Sequence, residues 1–194
     1  VSDMGDADFR RSLWEIGSSN EGVPEDKWPA DLRDFRLTAD NYVKCAMILQ
    51  RIRAGLPVVL LGEAGCGKTM VLRALAAIVG AKIRTLPIDA GTPLHAILDF
   101  VVRTNMKARK YEERAAELRA IQRARGHKVT AKARDVYMFL DEINTNPWLP
   151  LLKEIICDRR VRGMRLAPNV HVMCACNPYR YRGKRPARAA GGAG

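Results

Sequence analysis

The chain has 194 residues, 47% of them hydrophobic, which suits one domain with a buried core. No apolar run approaches the length of a membrane span, and the acidic, polar opening VSDMGDADFRRSLW excludes a signal peptide there. Lys and Arg number 33 against 21 Asp and Glu, a net charge of +12 that raises the question of an anionic partner.

The charge is uneven. The first forty residues lean acidic, and the basic excess lies in roughly residues 103–134 and in the tail after Asn177. Without the aromatic interleaving of a single-strand binder, this reads as a solvated helix face plus a basic tail. Nucleic acid is not the expected partner. Cys45, Cys66, Cys157, Cys174 and Cys176 are odd in number and lack disulfide-framework spacing, which points to a reducing compartment, most simply the cytoplasm. Cys174 and Cys176 fall in VHVMCAC, where strand burial explains them better than a metal or redox pair. The missing initiator methionine and the ending GGAG suggest a piece of a longer chain.

In chain order, residues 1–36 are polar with scattered Gly, Pro and Trp, and read as a partly extended lead-in. LTADNYVKCAMILQRIRAG predicts a helix capped by Thr38 and stopped at Gly55, with Val43, Ala46, Met47 and Ile52 at helical spacing. PVVLL, residues 57–61, reads as a strand buried on both faces. A helix over 68–79, closed by Gly80, and a strand over 82–88 follow.

Thr92 and Pro93 form an N-cap and first-turn pair for a helix running as far as Gly126. Its first part is amphipathic through Leu94, Ile97, Leu98 and Val101. Its charged second part, with Lys110/Glu113 and Arg114/Glu117 spaced to meet, is expected to project from the core or break in two. Residues 136–140 read as a third, buried strand. A helix from Pro150 to around Arg159, a hairpin or loop in RVRGMRLAPN and a fourth strand over 170–176 complete the pattern. Alternating strands and helices predict an α/β fold with a parallel sheet.

GEAGCGKT, residues 62–69, meets the pattern G-x-x-x-x-G-K-[ST] between a strand and a helix. Such a loop turns backbone N–H groups around phosphate oxygens, so its close-approach positions must be small. Gly65 and Gly67 meet that need, Cys66 between them offers a backbone donor, and Gly62 opens the phosphate-binding pattern. The helix that starts at Lys68 and continues through Met70 adds positive potential toward the same anion. Lys68 would reach the β- and γ-phosphates of ATP, and Thr69 would place its hydroxyl on Mg²⁺. VYMFLDE sets Asp141 and Glu142 at the carboxyl end of a buried strand, where parallel sheets bind ligands. Asp141 suits a magnesium role and Glu142 that of a general base for attacking water. Asn177, directly after the fourth strand, would hold that water or sense the γ-phosphate.

Together these residues resemble the AAA+ ATPase class of P-loop NTPases: Walker A GEAGCGKT, Walker B FLDE and a sensor-1 Asn177. More narrowly, LTADNYVKCAMILQRIRAGLPVVLLGEAGCGKT, FLDEINT, LLKEIICDRRVRG and CACNPYRYR resemble the dynein-like AAA modules of the mysterin family, giant RING-finger E3 ubiquitin ligases. The similarity spans residues 37–182, leaving 183–194 as a basic, Gly/Ala-rich tail. It implies ATP and Mg²⁺ as ligands, neighbouring AAA modules as partners, and ubiquitin-system proteins around the longer chain. No RING or other zinc-ligand pattern occurs, so ligase activity is not expected of this stretch.

The resemblance also implies an arginine finger and a sensor-2 arginine after sensor 1, on a later helix and in a helical lid. Residues 177–194 carry neither a strand nor a lid pattern, so the fold is expected to stop before the lid. Arg159, Arg160, Arg180 and Arg182 would have to face a neighbouring module, and surface charge explains them more simply. Trp148 reads as a packed loop aromatic, with contact to a neighbour or substrate as the other reading. A MoxR- or midasin-like remodelling ATPase, a basic nucleic-acid-binding P-loop domain and a structural ring segment holding nucleotide remain alternatives.

Overall fold

Four parallel strands carry the architecture. The computed structural model describes residues 5–17, 28, 30–33 and 35–178. In chain order the elements are α1 (Asp6–Gly17), α2 (Ala30–Arg33), α3 (Ala39–Arg53), β1 (Val58–Leu61), α4 (Lys68–Ile78), β2 (Lys82–Pro87) and α5 (Leu94–Ala124). They continue with β3 (Val136–Asp141), a 3₁₀ turn (Ile143–Thr145), α6 (Leu149–Ile156), β4 (Arg160–Val161), β5 (Met164–Arg165) and β6 (Val170–Cys176). The sheet order is β1-β6-β3-β2, every pairing parallel.

Alternation along the central strands divides the core in two. Tyr137, Phe139, Met173 and Ala175 meet α1, α3 and α4 on one face; Val136, Met138, Leu140, Val170, Val172 and Cys174 meet α5 and α6 on the other. The result is three layers, helices on both sides of the sheet. β3 is buried from Val136 to Leu140, as its continuous apolar run requires of a central strand.

β1 departs from the expectation of burial on both faces. Val58 is buried, but Val59 and Leu61 are 47% and 75% exposed. The reason is position: among the described residues β1 is an edge strand, paired with β6 alone.

The opening holds a helix that the expected, partly extended lead-in did not specify. Residues 6–17 form a helix that buries Phe9 and Leu13, stacks Phe9 on Tyr42 at 4.7 Å and lets Asp6 Oδ1 accept from Leu37 N at 2.8 Å. α3 is capped by Thr38 as expected, yet its buried residues are Cys45, Ile48 and Leu49, while Val43 and Met47 are exposed. The helix is rotated because α1 and α4 cover its 45–48–49–52 stripe.

α5 is one unbroken helix, so of the two expected outcomes the break does not occur. Its N-cap is Pro93; Thr92 Oγ1 instead donates to Asp89 Oδ1, and Asp89 N donates back to it. Buried contacts reach Ala108 and Ala115, and beyond them Leu118 and Ile121 are exposed. Its ion pairs join Asp99 to Arg103 and Glu112 to Arg119 rather than the pairs expected. α6 ends at Ile156, three residues before Arg159. RVRGMR forms a tight hairpin whose central Arg162 and Gly163 both have positive φ, the geometry that matches strand twist. No helix among the described residues is long and apolar enough to cross a membrane. The 183–194 tail lies outside the described residues.

Candidate functional site

The carboxyl ends of β1, β3 and β6 open toward the same place. β1 leads into the 62–69 loop, β3 ends in Asp141, and β6 ends beside Asn177. The loop closes on itself through Cys66 N donating to Glu63 O at 3.3 Å. Gly65 and Gly67 have φ of 80° and 83°, and a Cβ at either would meet nothing within 4 Å. Glycine is needed there for backbone conformation, not for room. At Gly62 the reason is close approach: a Cβ would stand 2.7 Å from Cys66 Sγ.

Lys68 opens α4 and turns back across the loop. Its Nζ donates to Gly62 O at 2.6 Å, to Glu63 O at 2.9 Å and to Asn177 Oδ1 at 3.3 Å. Thr69 Oγ1 donates to Asp141 Oδ2 at 3.0 Å, joining α4 to β3. Asn177 Nδ2 donates to Glu142 Oε1 at 3.1 Å, so a single amide links the lysine to the carboxylate. Glu142 itself has φ 59° and ψ 38°, left-handed for a non-glycine residue, where the chain leaves β3 for the 3₁₀ turn.

A cleft of about 310 Å³ lies over the loop, lined among others by Gly65, Gly67, Lys68, Thr69, Asp141 and Glu142. Met70 and Arg73 also line it; Arg73 follows Thr69 by one turn of α4 and was not visible as a site residue from the sequence. Gly62 and Asn177 join this group through their bonds to Lys68. All the residues singled out in the loop and at the ends of β3 and β6 are thus brought together. Burial raises the pKa of the Cys176 thiol, with Lys68 opposing that shift.

Other residues fall elsewhere. Arg159 has φ 51°, and its guanidinium donates to Ala167 O at 3.2 Å and Val170 O at 2.8 Å, an internal tie that pins the hairpin to β6. Burial lowers its pKa from the ordinary guanidinium value. Arg160 is exposed on β4, and Arg180 and Arg182 lie outside the described residues. Trp148 is the N-cap of α6 and is partly exposed beside Leu94, Leu98 and Leu151.

A family model described as the RNF213 AAA domain matches residues 35–180. The chain belongs to that family. Its fold is accordingly the AAA+ form of the P-loop NTPase, a parallel sheet flanked by helices. The E3 ubiquitin-protein ligase RNF213 of Mus musculus is 33% identical over 162 residues, covering 79% of this chain and 3% of its own length. That of Homo sapiens is 32% identical over 166 residues, covering 82% of this chain and 3% of its own. In Danio rerio, rnf213-beta is 29% identical over 185 residues, covering 92% and 3%. The chain therefore spans about 3% of the length of the curated relatives it matches.

The resemblance carried by FLDEINT, LLKEIICDRRVRG and CACNPYRYR is borne out by this family assignment. Among solved structures, a Thermotoga maritima RuvB mutant matches at TM-score 0.42 and 15% identity, covering 72% of this chain and 38% of its own. PCH-2 of C. elegans matches at TM-score 0.39 and 17% identity, covering 88% and 43%. Likenesses of that size carry no argument about activity.

Proposed function

We propose that this chain binds ATP with magnesium and hydrolyses it, as one AAA module of a larger protein akin to the ubiquitin ligases it resembles. The observation that carries the reading is the convergence of Lys68, Thr69, Asp141, Glu142 and Asn177, from three strand ends, in one hydrogen-bonded group.

In this reading the backbone N–H groups of residues 62–69 and the N-terminus of α4 surround the phosphates, with Gly65 and Gly67 setting the loop's conformation and Met70 continuing the wall. Lys68 supplies a positive charge on the side where the phosphates end. Thr69 and Asp141 would hold magnesium. They fit it: a hydroxyl and a carboxylate oxygen 3.0 Å apart are hard donors, and this ion takes few protein ligands beside water and phosphate. Magnesium, when bound, neutralises charge on the phosphate oxygens. Glu142 accepts a proton from the attacking water, and the Asn177 amide orients that water against the terminal phosphate.

Turnover by the chain alone is slow in this reading, because an arginine from a neighbouring module has to complete the charge stabilisation. Arg159 does not substitute for it, being tied to the carbonyls of Ala167 and Val170. Ubiquitin transfer belongs to other parts of a longer protein, and its ubiquitin-system partners meet those parts. The odd number of cysteines, without disulfide-framework spacing, supports a cytoplasmic setting.

The test is titration of the wild type and of Lys68→Ala with MgATP. Wild type binds, and the variant weakens binding by at least about a hundredfold, since a charge-assisted contact to phosphate is lost. Equal affinities would remove the phosphate-loop reading. Glu142→Gln binds ATP as well as wild type and lowers the slow hydrolysis by about 10²-fold or more. Turnover unaffected by that change would remove the general base.

A further inference from the structure

Asn144 has no part in the chemistry proposed above, yet it holds the residue that links the site together. Asn177 follows the last residue of β6, and its side chain bridges Lys68 and Glu142. Pro178 restricts the Asn177 backbone to extended conformations but does not say where that backbone lies relative to β3.

The sheet cannot fix it from the β3 side. Continued past Leu140↔Cys174, the register would set Asn177 against Ile143. The left-handed Glu142 has already turned the chain off the ladder, and Ile143 begins the 3₁₀ turn. The Asn144 side chain takes that place. Its Oδ1 accepts from Asn177 N, and its Nδ2 donates to Asn177 O, each at 3.4 Å. One side-chain amide thus satisfies both polar groups of one backbone residue, as a neighbouring strand would.

We propose that Asn144 is a positioning residue that sets where the Asn177 amide stands between Lys68 and Glu142, and that it thereby governs discrimination of a nucleoside triphosphate from a diphosphate. The inference rests on the ATP reading above. In that reading the loop amides and Thr69 serve the part common to both nucleotides and Lys68 spans both parts, whereas Asn177 and Glu142 act on the water at the terminal phosphate, which only the triphosphate has. Loss of Asn144 loosens the second group and spares the first. Asn144 is exposed, so its removal takes no packing from the core.

The test titrates the chain, as wild type, Asn144→Ala, Asn177→Ala and the double variant, with a non-hydrolysable ATP analogue and with ADP, magnesium present throughout. Asn144→Ala is expected to weaken the triphosphate about tenfold and ADP by less than about twofold. The double variant binds the triphosphate no worse than Asn177→Ala, because both changes act through one amide. Equal effects on both nucleotides, no effect on either, or additive losses in the double variant would each overturn the proposal while leaving the ATP site standing. A wild type that binds neither nucleotide fails at the earlier step, separately from any comparison of variants.

Discussion

Thr69 and Asp141 lie 72 residues apart in sequence and meet through one hydrogen bond of 3.0 Å, from the hydroxyl to Oδ2. The contact ties the first turn of α4 to the end of β3, so the loop and the acidic strand end hold a fixed relation. It requires both the parallel pairing of β3 with β6 and that of β6 with β1, which bring the two strand ends level.

From this contact follows a separation of metal dependence from nucleotide binding. Thr69→Val keeps the side-chain shape and removes the hydroxyl, and Asp141→Asn keeps the shape and removes the charge. Each is expected to cut the gain in ATP affinity on adding magnesium by about tenfold, while affinity in the presence of a chelator changes by less than about threefold. Titrations with and without magnesium measure both quantities. A chelator-resistant loss in either variant would place these residues on the phosphate instead.

The candidate site was legible because the chemistry proposed for it depends on short, fixed spacings. Gly62 to Thr69 read as a loop between strand and helix, and Asp141, Glu142 and Asn177 read as the ends of apolar runs. Asn144 and Arg73 were not legible in the same way. Asn144 reaches Asn177 only because Glu142 adopts φ 59°, a backbone state that no periodicity encodes. Strands showed a similar limit. VYMFL and VHVMCAC are apolar and central, whereas VVLL is equally apolar and sits at an edge, since strand order is set by long-range pairing. In α1 the spacing of Phe9, Leu13 and Ile16 is helical, but Arg10, Arg11, Glu15 and the acidic first turn dilute it below notice.

The helix that was least visible in the sequence makes a stability prediction. Leu13 is fully buried in the cluster formed by α1, α3 and α4, and a Cβ at Gly17 would stand 2.8 Å from Leu49 Cδ2 and from Val79 Cγ1. Leu13→Ala is expected to cost about 2–5 kcal/mol by lost transfer energy and the cavity left behind. The melting temperature should fall by roughly 5–15 °C in a domain of this size. Scanning calorimetry or a denaturant titration measures it. A loss below about 1 kcal/mol would make residues 6–17 an appendage that the nucleotide-binding core does without.

Thiol chemistry gives a readout of the loop that depends on neither turnover nor a labelled nucleotide. Cys66 and Cys157 are exposed, whereas Cys45 and Cys174 are buried and their thiols are pushed up to about 12 by that burial. A raised thiol pKa keeps the proton in the folded state after the unfolded state has released it. Stability is therefore full below about pH 9 and falls as pH rises from there toward 12. At pH 8 a thiol reagent should modify Cys66 and Cys157 in the folded chain and reach Cys45 and Cys174 only after denaturation. Saturating MgATP should slow modification of Cys66 by about tenfold or more and leave Cys157 unchanged, because only Cys66 stands among the amides assigned to phosphate. Peptide mass analysis after timed labelling gives both rates from one sample. Equal protection of the two cysteines would indicate global tightening, and no protection of Cys66 would place the nucleotide outside the loop.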